Sequence, residues 1–386
     1  MQKINNCMKQ HTVIKLGVGV CVILFCLAAG IYWFAQINYA KEEANVDLLE
    51  FVPEDCVGLV ESDNLDYIIN ELPQTAYAEK LRDFFDTGLL SSIFDNIGHY
   101  VAGGGTHGIS NQVYQMMVSF HEPVSPENVV IYFRMGETGK SMLKNLFSSQ
   151  EDESLVENES YRGKNLLIHA PEDGGLPIVT YSGNGFLVMS NEKSLVERVI
   201  DAQRETKSLE RDKLARASYR RVKPANHLTI LARTPSMPLL SQGHDHSWCE
   251  FDIHVNSEVF YLSGSMHVPD SCLAGVNAKL DAVEDVDEEG FLIVSGQGEV
   301  DSRIANTAAI PSHSLFEECV ANLSRDASFI LVTDLEKAVE EPERYSGYLP
   351  TFLQRHISMF SPFILSLQIT KMNDGLSHIF VFTYKE

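Results

Sequence analysis

This sequence lacks the short signatures that announce a reaction. It contains no GxSxG elbow, no GxxxxGK[ST] loop and no CxxC pair. Those absences argue against an α/β-hydrolase nucleophile, a P-loop nucleotide site and a paired-cysteine zinc or redox site. Cysteine is sparse. Of seven, Cys7, Cys21 and Cys26 precede residue 36, leaving Cys56, Cys249, Cys272 and Cys319. These four are too scattered for a dense disulfide framework; a Cys249–Cys272 bridge is the foremost pairing, and buried free thiols are the alternative. Positive charge is short as well, with 30 Lys and Arg against 53 Asp and Glu and a net charge of −23. Such a surface repels phosphate backbones and anionic headgroups, so nucleic acid is not an expected partner.

Acid is missing altogether from the first 41 residues, and there the chain is apolar. From Val13 to Ala35 only Lys15 and the interfacial Tyr32 and Trp33 interrupt an apolar run. A helix of about 20 such residues spans a bilayer core with its backbone hydrogen bonds satisfied internally. Lys3, Lys9 and Lys15 lie before or at the start of the run, and Glu42 and Glu43 follow it. The positive-inside rule then places residues 1–12 in the cytoplasm and the rest outside. The run exceeds the apolar core of a secretory signal, and bulky Tyr32-Trp33-Phe34 replaces a small-residue cleavage site. An uncleaved anchor in a bacterial cytoplasmic membrane is therefore expected, its outer region periplasmic or extracellular.

Beyond a linker over 36–50, the hydropathy pattern predicts strands at Cys56–Glu61, 113–120, 129–134, Leu166–His169, Ile178–Tyr181 and Phe186–Ser190, and Pro224–Ala232 enters another. A hairpin follows over 250–256 and 258–267. Helical spacing covers Leu65–Leu72, Tyr77–Phe94, Lys140–Phe147, Ser194–Ala202 and a segment after Lys213. Pro53-Glu54-Asp55, Pro126-Glu127-Asn128, Pro224-Ala225-Asn226 and Pro311 each open a similar unit, at unequal spacing. The acidic stretch Asp281–Glu289 reads as a loop between two halves. The expected fold is α+β: a transmembrane helix over 13–35, then duplicated antiparallel-sheet units at 51–220 and 221–386 with helices packed on one face.

The order of these parts resembles domain-of-unknown-function family 3352, a group of anchored or exported bacterial envelope proteins. The pieces that carry the likeness are Val52-Pro53-Glu54-Asp55, Phe186–Ser190 with the helix after it, Ser208-Leu209 through Tyr219, Pro224–Ala232, and Trp248–Met266. The resemblance implies an exported location and this fold, and it transfers no catalytic residue.

Candidate chemistry is thin. Gly103–Gly108 lacks the lysine of a phosphate loop. His244 and His246 with Cys249, and His254 beyond, form the metal candidate, because imidazole and thiolate suit zinc or copper. Ser119 and His121 are read as pointing to opposite sides of a strand, which excludes their joint use. Asn158-Glu159-Ser160 and Asn322-Leu323-Ser324 match glycosylation sequons. The expectation is a non-enzymatic ectodomain, with no cofactor, that binds an envelope protein or cell-surface polymer. The alternative is an envelope hydrolase or metal-dependent enzyme.

Overall fold

The structure is a computed structural model. It describes residues 46–65, 67, 74–75, 113–123, 128–136, 139–141, 155–170, 175–221, 228–234, 237–241, 247–255, 259–267, 270–311 and 314–385. The predicted tail and span at 1–35, the helices at 77–94 and the Gly103–Gly108 run lie outside those residues. Among the described residues no helix is long and apolar enough to cross a membrane. Asp47–Glu386 forms one compact unit, so the fold begins within the expected 36–50 linker. Leu48 and Leu49 sit in a short 3-10 turn and are buried.

Fifteen strands make one antiparallel sheet. Those of the first arm are β1 (Gly58–Ser62), β2 (Val113–Phe120), β3 (Val129–Met135), β4 (Leu155–Tyr161), β5 (Lys164–Ala170), β6 (Ile178–Gly183) and β7 (Phe186–Ser190). The second arm holds β8 (Leu228–Arg233), β9 (Trp248–Val255), β10 (Val259–His267), β11 (Val286–Glu288), β12 (Phe291–Ser295), β13 (Phe329–Asp334), β14 (Phe363–Met372) and β15 (Gly375–Tyr384). The arms meet where β1 pairs antiparallel with β8, Leu59 opposite Leu231. Outward from that seam each arm runs three consecutive strands, then its last strand, then the others in reverse: β1-β2-β3-β7-β6-β5-β4 and β8-β9-β10-β15-β14-β13-β12-β11. Pro53 and Pro224 therefore precede the two strands that meet at the seam. Pro126, by contrast, precedes an inner strand of the first arm.

Helices follow apolar spacing. In α1 (Lys193–Glu205), Leu195, Val196, Val199 and Ile200 recur on one side and are buried. Each such side chain contributes roughly 1.5–3 kcal/mol. The helix stops where Thr206 takes a left-handed φ of 55°. Helix α2 (Lys213–Arg221) lies over β8, β9 and β10. Next come α3 (Asp270–Asp281), α4 (Gln297–Ala308) and α5 (Leu315–Ala321), the last held by a Ser314–Glu317 capping box.

The expectation that helices cover a single face fails in the second arm. Leu292, Val294, Ile330 and Val332 pack under α4 and α5. Phe291, Ile293, Phe329 and Leu331 face the opposite way and join α3 and the short helices after β13 in a second cluster. A strand buried on both sides reads as an unbroken apolar run, as Phe291–Val294 and Phe329–Val332 do. The acidic stretch Asp281–Glu289 is likewise no boundary between halves, because Val286–Glu288 closes the sheet as edge strand β11.

A second surprise is β4, Leu-Val-Glu-Asn-Glu-Ser-Tyr, which is too polar to stand out as a strand. It forms because Arg162 and Gly163, both at positive φ (47° and 80°), make a tight turn that pairs it with β5. Two successive positive φ values match the right-handed twist of a two-residue hairpin.

Candidate functional site

Beside the seam the structure gathers polar side chains that the sequence does not bring together. Asp55 stands in the turn before β1, Ser119 near the end of β2, His121 just past it, and Tyr132 in β3. Ser119 Oγ lies 2.9 Å from His121 Nε2 and 3.0 Å from the Tyr132 hydroxyl. His121 Nδ1 is 3.8 Å from Asp55 Oδ1, and the other carboxylate oxygen of Asp55 accepts from Arg198 of α1 at 2.6 Å. The expectation that Ser119 and His121 point apart is therefore wrong. Side chains alternate along a strand with a period of two, so residues i and i+2 share a face.

An Asp–His–Ser order invites comparison with a nucleophilic triad, and the geometry argues against it. Ser119 is 0 % exposed and His121 1 %, so no substrate carbonyl reaches the hydroxyl. The far side of Ser119 Oγ is occupied by the Tyr132 hydroxyl, and the Asp55–His121 separation exceeds hydrogen-bond length. Burial, reinforced by the Arg198 charge and opposed by Asp55, lowers the His121 pKa to about 4. Burial also raises Tyr132 and pushes the neighbouring Cys56 thiol up to about 12. All three stay neutral near pH 7, which suits a buried stitch joining β2, β3 and α1.

A second array sits on the same face. Glu61 Oε1 accepts from the Tyr219 hydroxyl at 2.9 Å and from Gln115 Nε2. Burial raises the Glu61 carboxyl, with those two hydrogen bonds acting in the opposite sense. Asp212 caps α2 through the amides of Leu214 and Ala215 at 2.9 and 3.1 Å, and it accepts from Trp248 Nε1 at 3.3 Å. These contacts hold α2 to the sheet.

The predicted metal residues do not converge among the described residues. His244 and His246 lie outside them. Cys249 is buried in β9, in an apolar cluster with its cross-strand partner Met266, while His254 is exposed toward the other end of the strand. Among the described residues no group of three or more His, Cys, Asp or Glu could hold an ion. Cys56, Cys249, Cys272 and Cys319 are not disulfide-bonded to one another, so the Cys249–Cys272 bridge is not formed.

An accessible concavity lies elsewhere, at the end of the first arm between the β4–β5 and β6–β7 turns. Asn158, Lys164, Asn165, Thr180, Ser182 and Asn184 line it, with half-buried Leu167 and the buried Tyr181 and Phe186. Those rings meet edge to face at 5.3 Å. The Tyr181 hydroxyl donates to Gln203 Oε1 of α1 at 3.1 Å, and Gln203 also lines the space. Among the described residues no Asp, Glu, His or Cys is present in the lining.

No family profile matches the sequence, and no curated protein matches it. Among solved structures the chain is similar to three crystal forms of TP0453. For forms I, IV and III the TM-scores are 0.31, 0.32 and 0.29, at 8, 11 and 10 % identity. Each likeness covers 64 % of this chain and 90, 90 and 91 % of the other. Values this low do not establish a shared fold.

Proposed function

We propose that the protein is anchored by residues 13–35 in a bacterial cytoplasmic membrane and presents a non-enzymatic binding or scaffolding ectodomain on the outer side. One observation supports the binding reading most. The buried arrays spend their reactive groups on one another, whereas the accessible concavity is lined by amides and hydroxyls without a catalytic group. The anchor reading rests on the apolar run with its lysine flank and on the likeness to family 3352.

The mirrored strand orders favour duplication of one α+β unit, at about 51–220 and 221–386. The antiparallel β1–β8 seam is the pairing a pseudo-two-fold between copies would produce. In this reading the seam joins the two copies into one continuous sheet.

The test is affinity capture of the full-length protein from native membranes in mild detergent, followed by identification of what accompanies it. A near-stoichiometric envelope protein or surface polymer is expected. Recovery of the protein alone, together with fluorophosphonate labelling of Ser119, would turn the reading toward a hydrolase.

A further inference from the structure

We infer that the concavity between the two hairpin turns of the first arm binds a neutral, polyhydroxylated polymer: a segment of glycan. The inference rests on the binding-module reading and assigns that module its ligand class.

Charge narrows the choice first. The chain carries a net charge of −23, yet among the described residues no carboxylate lines this site. Three acids of the neighbouring elements are paired: Glu159 with Lys193 at 2.5 Å, and Asp201 and Glu205 with Arg162 at 2.9 and 2.8 Å. A cationic ligand thus finds no counter-charge in the lining. Lys164 is the single formal charge in the lining among the described residues, and it is exposed; one lysine on so acidic a protein is a poor trap for anions.

Hydrogen-bonding capacity narrows it further. The side-chain amides of Asn158, Asn165 and Asn184 are exposed and have no partner among the described residues. An asparagine amide offers two donors beside an acceptor, and neighbouring sugar hydroxyls each offer both roles. Gln203 uses its Oε1 to accept from Tyr181, which leaves its NH2 to donate. Leu167, opposite Asn158 in the β4–β5 register and two residues from Asn165, shares their face and gives a half-buried apolar patch on which the C–H face of a sugar ring can rest. The site is pre-formed, since its walls are two strand hairpins fixed by Arg162-Gly163 and Asn184-Gly185, with φ of 80° at Gly163 and 76° at Gly185.

A peptide is the competing occupant, and it would bind differently. It would add to the open edge of β4 through backbone hydrogen bonds and be indifferent to the side-chain amides.

The experiment is calorimetric titration of the full-length protein, in amine-oxide detergent, with maltohexaose, cellohexaose and chitohexaose. Sugar-headed detergents are avoided because they would compete. At least one oligosaccharide should bind saturably. The double variant Asn158→Leu, Asn165→Leu, which keeps volume and removes two amides, should weaken it about tenfold or more. Lys164→Gln should alter affinity by less than about twofold. Unchanged unfolding midpoints will show that both variants fold. Failure of all three sugars, or equal binding by the double variant, overturns the assignment, as does loss of binding on Lys164→Gln alone. If the sugars fail but a near-stoichiometric envelope protein is still captured from membranes, the glycan assignment falls and the binding-module reading stands.

Discussion

Replacing His121 by glutamine removes a buried imidazole whose protonation the fold resists. In the folded protein its pKa falls to about 4, chiefly through burial and secondarily through the Arg198 charge, with Asp55 pulling the other way. Unfolded, it returns to about 6.5. Between those values the unfolded chain binds the proton and the folded chain does not, so stability rises with pH through that window. The contribution is fully present above about pH 6.5 and is lost as pH falls toward 4. A gap of that size is on the order of 3 kcal/mol, since each unit is worth about 1.36 kcal/mol. Other acid-sensitive groups act in both proteins and cancel in the comparison. Glu61, whose raised carboxyl makes it less favourable as pH rises, is among them. Urea midpoints of wild type and His121→Gln, measured from pH 7 to pH 4, should converge or cross by that amount in favour of the variant. Parallel curves across the window would refute a buried neutral histidine at this position.

Other expectations concern packing and thiols. In the β9–β10 ladder the Glu250 carbonyl accepts from buried His378 at 3.0 Å, and a Cβ on Gly264 would lie 1.8 Å from that oxygen. Gly264→Ala should cost about 3 kcal/mol. At about 2.1 cal/mol/K of unfolding entropy per residue, that lowers the melting temperature of the Asp47–Glu386 unit by about 4 °C. Gly58→Ala, whose Cβ would meet Leu231 O at an ordinary 3.6 Å, should cost less than about 1 kcal/mol. A melting scan in which the two variants matched would contradict the close approach. At Gly298, within α4, a Cβ meets nothing within 4 Å, so alanine should stabilise by about 0.5–1 kcal/mol in the same scan. Among the four cysteines after residue 50, iodoacetamide followed by peptide mass spectrometry should modify half-buried Cys272 first. Cys56, buried with its thiol pushed up to about 12, should react only on unfolding.

Much of the strand pattern was legible locally. The boundaries expected for 113–120 and Phe186–Ser190 match β2 and β7 residue for residue. In both cases apolar and β-branched residues fill a short run bounded by polar or turn residues. The polar β4 is not legible in its own residues, which lack the apolar alternation, although Arg162-Gly163 offers a turn signal beside it. The Ser119–His121 contact was also within reach, since a period of two puts both on one face; its other partners were not. Asp55 and Arg198 come to that histidine from a turn and a helix far away in the chain, and no local pattern records such a meeting.

Period, turn chemistry, charge balance and the apolar run at 13–35 are properties of neighbouring residues, set by bond geometry and solvent preference over a few positions. They could be read without coordinates. Which strand lies beside which is settled otherwise. The seam between β1 and β8, the reversed strand order in each arm and the two-sided burial of β12 and β13 depend on long loops closing. They also depend on all apolar faces being covered at once. That free energy belongs to the assembled sheet, and only the tertiary structure decides how it is divided among its strands.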